Sequence, residues 1–244
     1  MDRRGRRAAP VIPVVPPPEP EGFDVEVRKQ GSAWLLEHAD TPRPRPLWVP
    51  YLPQLEAGFR HLCGYAAMHI EEGTVDHYRS CSTHRALAYE WSNYRFASAR
   101  MNSVKATADA RVLDPFEVGE DWFEILLPSL QLVATERIPV ADRARAAFTL
   151  RRLKLGDGEP VLRRRQRWYR EFNEGGLSLK GLREHAPLVA RAVDRRLARL
   201  DPAAFGGGRT AFERFLASEI TLPGLKRSAT IAFEAVEAAL RGQP

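Results

Sequence analysis

Gly73-Thr74-Val75-Asp76-His77-Tyr78-Arg79 is followed by Leu87-Ala88-Tyr89-Glu90-Trp91-Ser92-Asn93 and then by Arg100-Met101-Asn102-Ser103-Val104-Lys105. Tyr65 to Ile70 and Thr74 to Arg79, parted by Glu71-Glu72-Gly73, read as two short strands around a glycine turn. A short helix is expected over Ala86 to Trp91. Another is expected after Met101, where Asn102-Ser103 can cap it and the residues from Lys105 to Ala110 permit helix. Two neighbouring polar side chains stand out on the second strand. His77 carries an imidazole whose ordinary pKa, near 6.5, suits it to accept a proton at neutral pH. Asp76 precedes it, and strand alternation sends adjacent side chains to opposite faces, so Asp76 does not duplicate His77.

On the amino-terminal side, Leu52, Leu55, Phe59 and Leu62 recur at helical spacing and lead into Cys63-Gly64. Residues 21–50 are mixed and interrupted by proline, with an apolar patch at Trp34-Leu35-Leu36. Residues 1–20, rich in Arg and Pro, are expected to form a mobile polyproline-like tail, with Arg3, Arg4, Arg6 and Arg7 available to phosphate. Beyond the motif, Leu113-Asp114-Pro115 breaks the chain. Trp122 to Leu127 and Leu130 to Thr135 flank Pro128-Ser129 as a hairpin. The remainder reads as helical. Val161, Arg165, Trp168, Tyr169 and Phe172 form one face of a helix whose other side carries Arg163, Arg167 and Arg170. Further helices are expected near 182–199, 210–219 and 224–241, with Gly206-Gly207-Gly208 as a linker.

The stretch resembles the HNH endonucleases. It is most similar to a bacterial branch in which an Asp/Glu-His strand precedes a Tyr-Glu-Trp-x-Asn segment and a Cys-Asn-x-x-Lys helix. The likeness spans roughly residues 48–175 and implies an α+β protein built on a ββα-metal nuclease core, with a hairpin and a helical carboxy-terminal region. It implies hydrolysis of DNA phosphodiester bonds, which needs a base for water and a divalent cation to stabilise charge on the phosphate. In that likeness His77 is the base, and Asp76 and Asn102 are the metal ligands. Asn93, nine residues before Asn102, is the amide that braces the loop carrying the base. Oxygen donors of this kind suit Mg2+ or Mn2+. Arg79, Arg95, Arg100 and Lys105 lie close enough in sequence to contact nucleic-acid phosphates. The alternative is a catalytically decayed subunit that keeps the fold and binds nucleic acid or assembles with other components. Relatives of this branch occur beside ATPase or sensor proteins in bacterial defence, so a partner of that kind belongs to the resemblance.

One feature of the family is missing. Relatives hold the fold with zinc bound by two Cys-x-x-Cys pairs, and the matching positions here are Arg60, Cys63, Ser98 and Met101. One thiol cannot supply a four-donor site, so structural zinc is not expected and packing around Met101 is expected to take its place.

The whole chain has 244 residues and a net charge of +6, enough for a catalytic module with a second packing unit and suited to a polyanionic partner. The expected division is a tail over 1–20, a nuclease core with its lead-in over 21–120, and the hairpin with helices over 121–244. Two cysteines, Cys63 and Cys81, make no disulfide framework, and Cys81 near His84 lacks a third group to orient a nucleophile. The apolar residues Val11 to Val15 are broken by prolines, so Arg3-Arg4 does not begin an export signal, and no 18-residue apolar run exists. A cytoplasmic protein without a membrane partner is expected.

Overall fold

The computed structural model describes residues 14–242, so the expected contacts of Arg3, Arg4, Arg6 and Arg7 lie outside the described residues. A π-helical turn, Asp24–Lys29, runs into α1 (Gln30–Glu37), and a 3-10 turn, Val49–Tyr51, runs into α2 (Leu52–Gly58). Then come β1 (Thr74–His77), β2 (Tyr94–Ala97) and α3 (Ala99–Lys105). A hairpin of β3 (Phe123–Leu126) and β4 (Gln131–Ala134) precedes α4 (Val140–Arg152) and α5 (Glu159–Glu174). The chain continues through α6 (Leu179–His185), α7 (Pro187–Leu197), α8 (Arg209–Leu216), α9 (Leu222–Ser228) and α10 (Thr230–Arg241). The fold class is α+β, with helices and two small antiparallel strand pairs. Among the described residues no helix is long and apolar enough to cross a membrane.

The chain forms two compact units. One holds the described residues up to Gly119 together with Ile138–Leu155; the other holds Glu120–Arg137 and the chain from Gly156 onward. This corrects the expected boundary, because the segment carrying α4 belongs with the motif rather than with the later helices. Local contacts explain why. Thr149 of α4 accepts the Leu113 N–H through Oγ1 at 2.8 Å, and Arg145 Nε donates to the Ala110 carbonyl at 3.2 Å. In the second unit the Leu132 N–H of β4 donates to the Gly156 carbonyl, and Arg165, 1 % exposed, donates to the carbonyls of Leu130 and Gly156.

Four local expectations change. The second-strand partner is not the preceding segment: β1 pairs antiparallel with β2, Asp76 opposite Arg95 and His77 opposite Tyr94. Residues 65–70 make only a bridge between Leu62 and His69, since Ala67 sits at φ +50°, which a strand cannot accommodate. β2 is buried along its whole length, which makes it the stronger partner. Gly73 enters β1 because a Cβ there would lie 2.1 Å from the Phe96 ring. The expected helix over Ala86 to Trp91 is reduced to two 3-10 turns, Arg85–Leu87 and Trp91–Asn93. Ser98 rather than Asn102 caps α3, its Oγ accepting from Met101 N at 3.3 Å, so Asn102 lies inside the helix. Gly206-Gly207-Gly208 closes a 3-10 segment, Pro202–Gly208, instead of forming an open linker.

The lead-in is not loose either. The Pro17 carbonyl accepts from Trp91 Nε1 at 2.8 Å, so the expected mobile tail is anchored there. Arg28 pairs with Glu90 at 3.0 Å, and Arg85 Nη1 donates to the Thr41 carbonyl at 2.6 Å. Gly31 of α1 lies flat on Tyr89, where a Cβ would stand 2.3 Å from the ring. These contacts lay residues 17–48 across the segment between β1 and β2.

Candidate active site

His77 ends β1 and is largely but not wholly buried. Its ring lies edge-on to Trp48, with centroids 4.7 Å apart, and edge-on to Tyr94 at 5.0 Å. Nε2 lies 2.8 Å from the Ala88 carbonyl, which can only accept, so Nε2 carries a proton. In the neutral ring that leaves Nδ1 as the lone-pair nitrogen, and no described residue hydrogen-bonds to it. Burial holds the imidazole pKa down at about 4, outweighing the stabilising carbonyl bond. The ring is therefore a neutral base at pH 7.

The carbonyl that fixes the ring is itself fixed. Tyr94 Oη donates to the Ala88 carbonyl at 2.9 Å. Asn93, 5 % exposed, uses its amide to close the loop on the strand end. Its Oδ1 accepts from Arg79 N at 2.8 Å, while Nδ2 donates to the carbonyls of Arg79 and Leu87 at 3.0 Å each. One side chain thus ties the residues after His77 to the residue before Ala88. The Ser80 to His84 turn is pinned in the same manner by Asp109, which accepts from Ser80 N at 2.7 Å and Thr83 Oγ1 at 2.5 Å. Burial pushes the Cys81 thiol in that turn up to about 11, so it is not a nucleophile at neutral pH.

Asp76 faces the other way. It is 1 % exposed, Oδ2 accepts from Tyr65 Oη at 2.6 Å, and Oδ1 lies 3.0 Å from Lys105 Nζ. Burial raises its pKa above the ordinary 3.8, against the pull of Lys105. Asn102 reaches β1 from α3: Nδ2 donates to the Val75 carbonyl at 3.1 Å. With the amide nitrogen spent on the strand, the oxygen is the group Asn102 has left to offer. Among the described residues no three His, Cys, Asp or Glu side chains gather as a metal site. Asp76 offers one buried carboxylate with both oxygens engaged, and Asn102 one amide oxygen; these are the oxygen donors that the resemblance names, and Lys105 rather than a cation now pairs with Asp76.

The expected phosphate contacts divide. Arg100 is exposed on α3, and Arg79 is half-buried with its guanidinium 5.9 Å from the Tyr78 ring. Arg95 and Lys105 are corrected: both are buried and cannot meet phosphate as folded. Arg95 donates through Nε and Nη2 to the carboxylate of Asp114, and through Nη1 to the carbonyls of Ser92 and Tyr94 at 2.8 Å. At the positions corresponding to zinc ligands, Cys63 and Met101 are buried, Arg60 is exposed and Ser98 serves as the helix cap.

Tyr65, Trp48, Ala88 and Asp114 escaped the sequence reading. Tyr65 had passed for a strand residue, and nothing local marks it as the donor to a carboxylate 11 residues on. The signal comes only with the fold, in which Asp76 is buried and a buried carboxylate requires donors.

The depressed pKa has a consequence for stability. In the unfolded chain the imidazole protonates near 6.5, in the fold only near 4, so between these values the unfolded state binds more protons. The contribution is intact above pH 6.5 and shrinks as pH falls towards 4, by about 2 kcal/mol between pH 7 and 5. Urea unfolding of the native chain and of His77→Asn at the two pH values measures it. An equal pH dependence in both proteins contradicts the assignment.

No protein-family model, no curated protein and no solved structure matches the chain.

Proposed function

We propose that the chain is an HNH-type endonuclease that hydrolyses DNA phosphodiester bonds with a divalent metal and His77 as general base. The observation that carries this is the oriented imidazole: Nε2–H held by the Ala88 carbonyl, Asn93 bracing that loop, and Nδ1 left basic. A histidine that only packs has no need of a second residue to fix its tautomer. The antiparallel β1–β2 pair followed by α3 supports a ββα core, with Asn102 of α3 bonded to the Val75 carbonyl, next to Asp76 on β1.

In this mechanism His77 takes a proton from water at Nδ1, and the neutral state set by burial keeps that nitrogen available at pH 7. Tyr94 holds the Ala88 carbonyl that partners the ring, and Asn93 holds the neighbouring Leu87 carbonyl, which together keep the ring from turning. In the resemblance Asp76 and Asn102 hold Mg2+ or Mn2+, which would stabilise negative charge on the phosphate and leaving oxygen. As folded, Asp76 is buried on the face opposite His77 and bonded to Tyr65 and Lys105, so a bound ion would need those contacts to open. Arg100, exposed, and Arg79, half-buried, are the arginines assigned to the DNA backbone in this reading, which the net charge of +6 favours. An ATPase or sensor partner remains part of the resemblance.

A second reading has its own observation: both Asp76 oxygens are engaged by Tyr65 and Lys105, as in a subunit that keeps the fold without cutting. Supercoiled plasmid incubated with the purified chain separates the two. Nicking with Mn2+ that stops in EDTA is the expected result. Failure to nick under either condition supports the non-cleaving subunit.

A further inference from the structure

α4 ends in Arg151 and Arg152, Lys154 follows just past the helix, and all three are exposed. A fourth exposed cation, Arg111, ends the 3-10 segment Ala106–Arg111 that continues from α3. Its guanidinium lies 4.3 Å from the centre of the Phe148 ring, which holds it beside the same end of α4. Phe148 precedes Arg151 and Arg152 by three and four residues, so the aromatic ring and the two arginines are neighbours on the helix surface. Arg152 also reaches α3, where Nη2 donates to the Lys105 carbonyl at 3.3 Å. Lys105 in turn donates to the His77 carbonyl, so the cluster is built onto the end of the helix that braces β1.

Four like charges at one helix end repel each other, and the needs of the fold do not call for them. The last carbonyls of α4 are already met by backbone: Thr149, Leu150 and Arg151 accept from the N–H groups of Leu153, Leu155 and Lys154. The carboxylates of the same neighbourhood are engaged elsewhere, Asp109 by Ser80 and Thr83, and Asp142 and Glu117 by Arg145. Other exposed arginines, such as Arg137, Arg163 and Arg209, do lie on carboxylates. The basic side of α5 is also diluted, by Glu159, Glu171 and Glu174 of the same helix, whereas the one acid of α4 is in its first turn.

We propose that Arg111, Arg151, Arg152 and Lys154 form a docking surface for the phosphate backbone of duplex DNA. The choice of DNA rests on the nuclease reading, and the surface lies in the same compact unit as His77. A duplex offers one negative charge per about 1.7 Å of its axis, so a single strand can meet several of these cations at once. Guanidinium forks bond phosphate oxygens in pairs, and the Phe148 ring and the Lys105 carbonyl hold two of the forks in place before the ligand arrives. Such contacts set where the duplex lies and carry no sequence preference.

The test measures binding of a fluorescent DNA duplex to the full chain by anisotropy over a range of salt, in EDTA to prevent cutting. Arg151→Gln combined with Lys154→Gln is expected to weaken binding about tenfold and to lower the slope of log Kd against log salt by about two, one per lost phosphate contact. Arg164→Gln with Arg167→Gln on α5 removes the same charge and should stay within about twofold of the native chain. Native-like binding by the α4 pair, or an equal loss in the α5 pair, overturns the docking surface and leaves the nuclease reading standing. A native chain that binds no duplex even at low salt overturns that reading as well. Displacement of the duplex by polyglutamate of equal charge assigns the surface to an acidic protein and overturns the proposal. Should the α4 pair fail to fold by circular dichroism, Lys154→Gln alone decides: its slope should fall by about one, and an unchanged slope contradicts the assignment.

Discussion

Replacing His77 by Ala is expected to lower the proposed DNA-cleavage rate by about 10²–10⁴-fold, the usual cost of removing a general base. The fold is expected to survive, because the ring lies at the edge of its aromatic neighbours and keeps some exposure. The lost atoms leave the Ala88 carbonyl with Tyr94 Oη as a donor, so no buried acceptor is stranded. Single-turnover cleavage of plasmid, with circular dichroism to verify the fold, measures the effect. An Ala variant that cuts within a factor of three of the native chain removes His77 from the chemistry.

The largest stability effect is expected at Asp114. Its carboxylate neutralises Arg95, which is 3 % exposed and lies with its guanidinium 3.7 Å from the centre of the Phe116 ring. Asp114 also accepts from Phe116 N at 3.0 Å. Asp114→Ala leaves a buried guanidinium without its counter-charge, and breaking such a pair costs about 3–5 kcal/mol. Urea unfolding should show that loss at an unchanged slope. A cost below about 1 kcal/mol would mean that Arg95 finds water in the folded chain.

The positions of the candidate site residues were legible where their signals are local. Asp76-His77, Asn93 and Asn102 stand at fixed spacings in one short stretch; in the folded chain Asp76 and His77 lie on β1, Asn102 bonds to it, and Asn93 bonds Arg79 just beyond its end. The bracing amide was expected from the resemblance and not from the residues alone. The roles of Lys105 and Arg95 were not legible. A basic side chain is a surface group unless a partner buries it, and the partners, Asp76 and Asp114, stand 29 and 19 residues away. Periodicity located the hairpin at β3 and β4 because its strands are adjacent in sequence. It misassigned the partner of β1 because the strand that pairs with it comes after an intervening loop and two 3-10 turns. The membership of α4 in the first unit rests on Thr149 and Arg145, which on a helix surface look like ordinary polar positions.

The central claim is that His77 is a neutral imidazole with its proton on Nε2 and a bare Nδ1. Long-range 15N–1H correlation spectroscopy of the histidine rings, followed from pH 7 to 4.5, tests it most directly. The account predicts an Nε2–H ring for His77 that stays neutral to about pH 4, well below the ordinary value of 6.5. A proton on Nδ1 at pH 7, or an imidazolium already formed at pH 6, would contradict it.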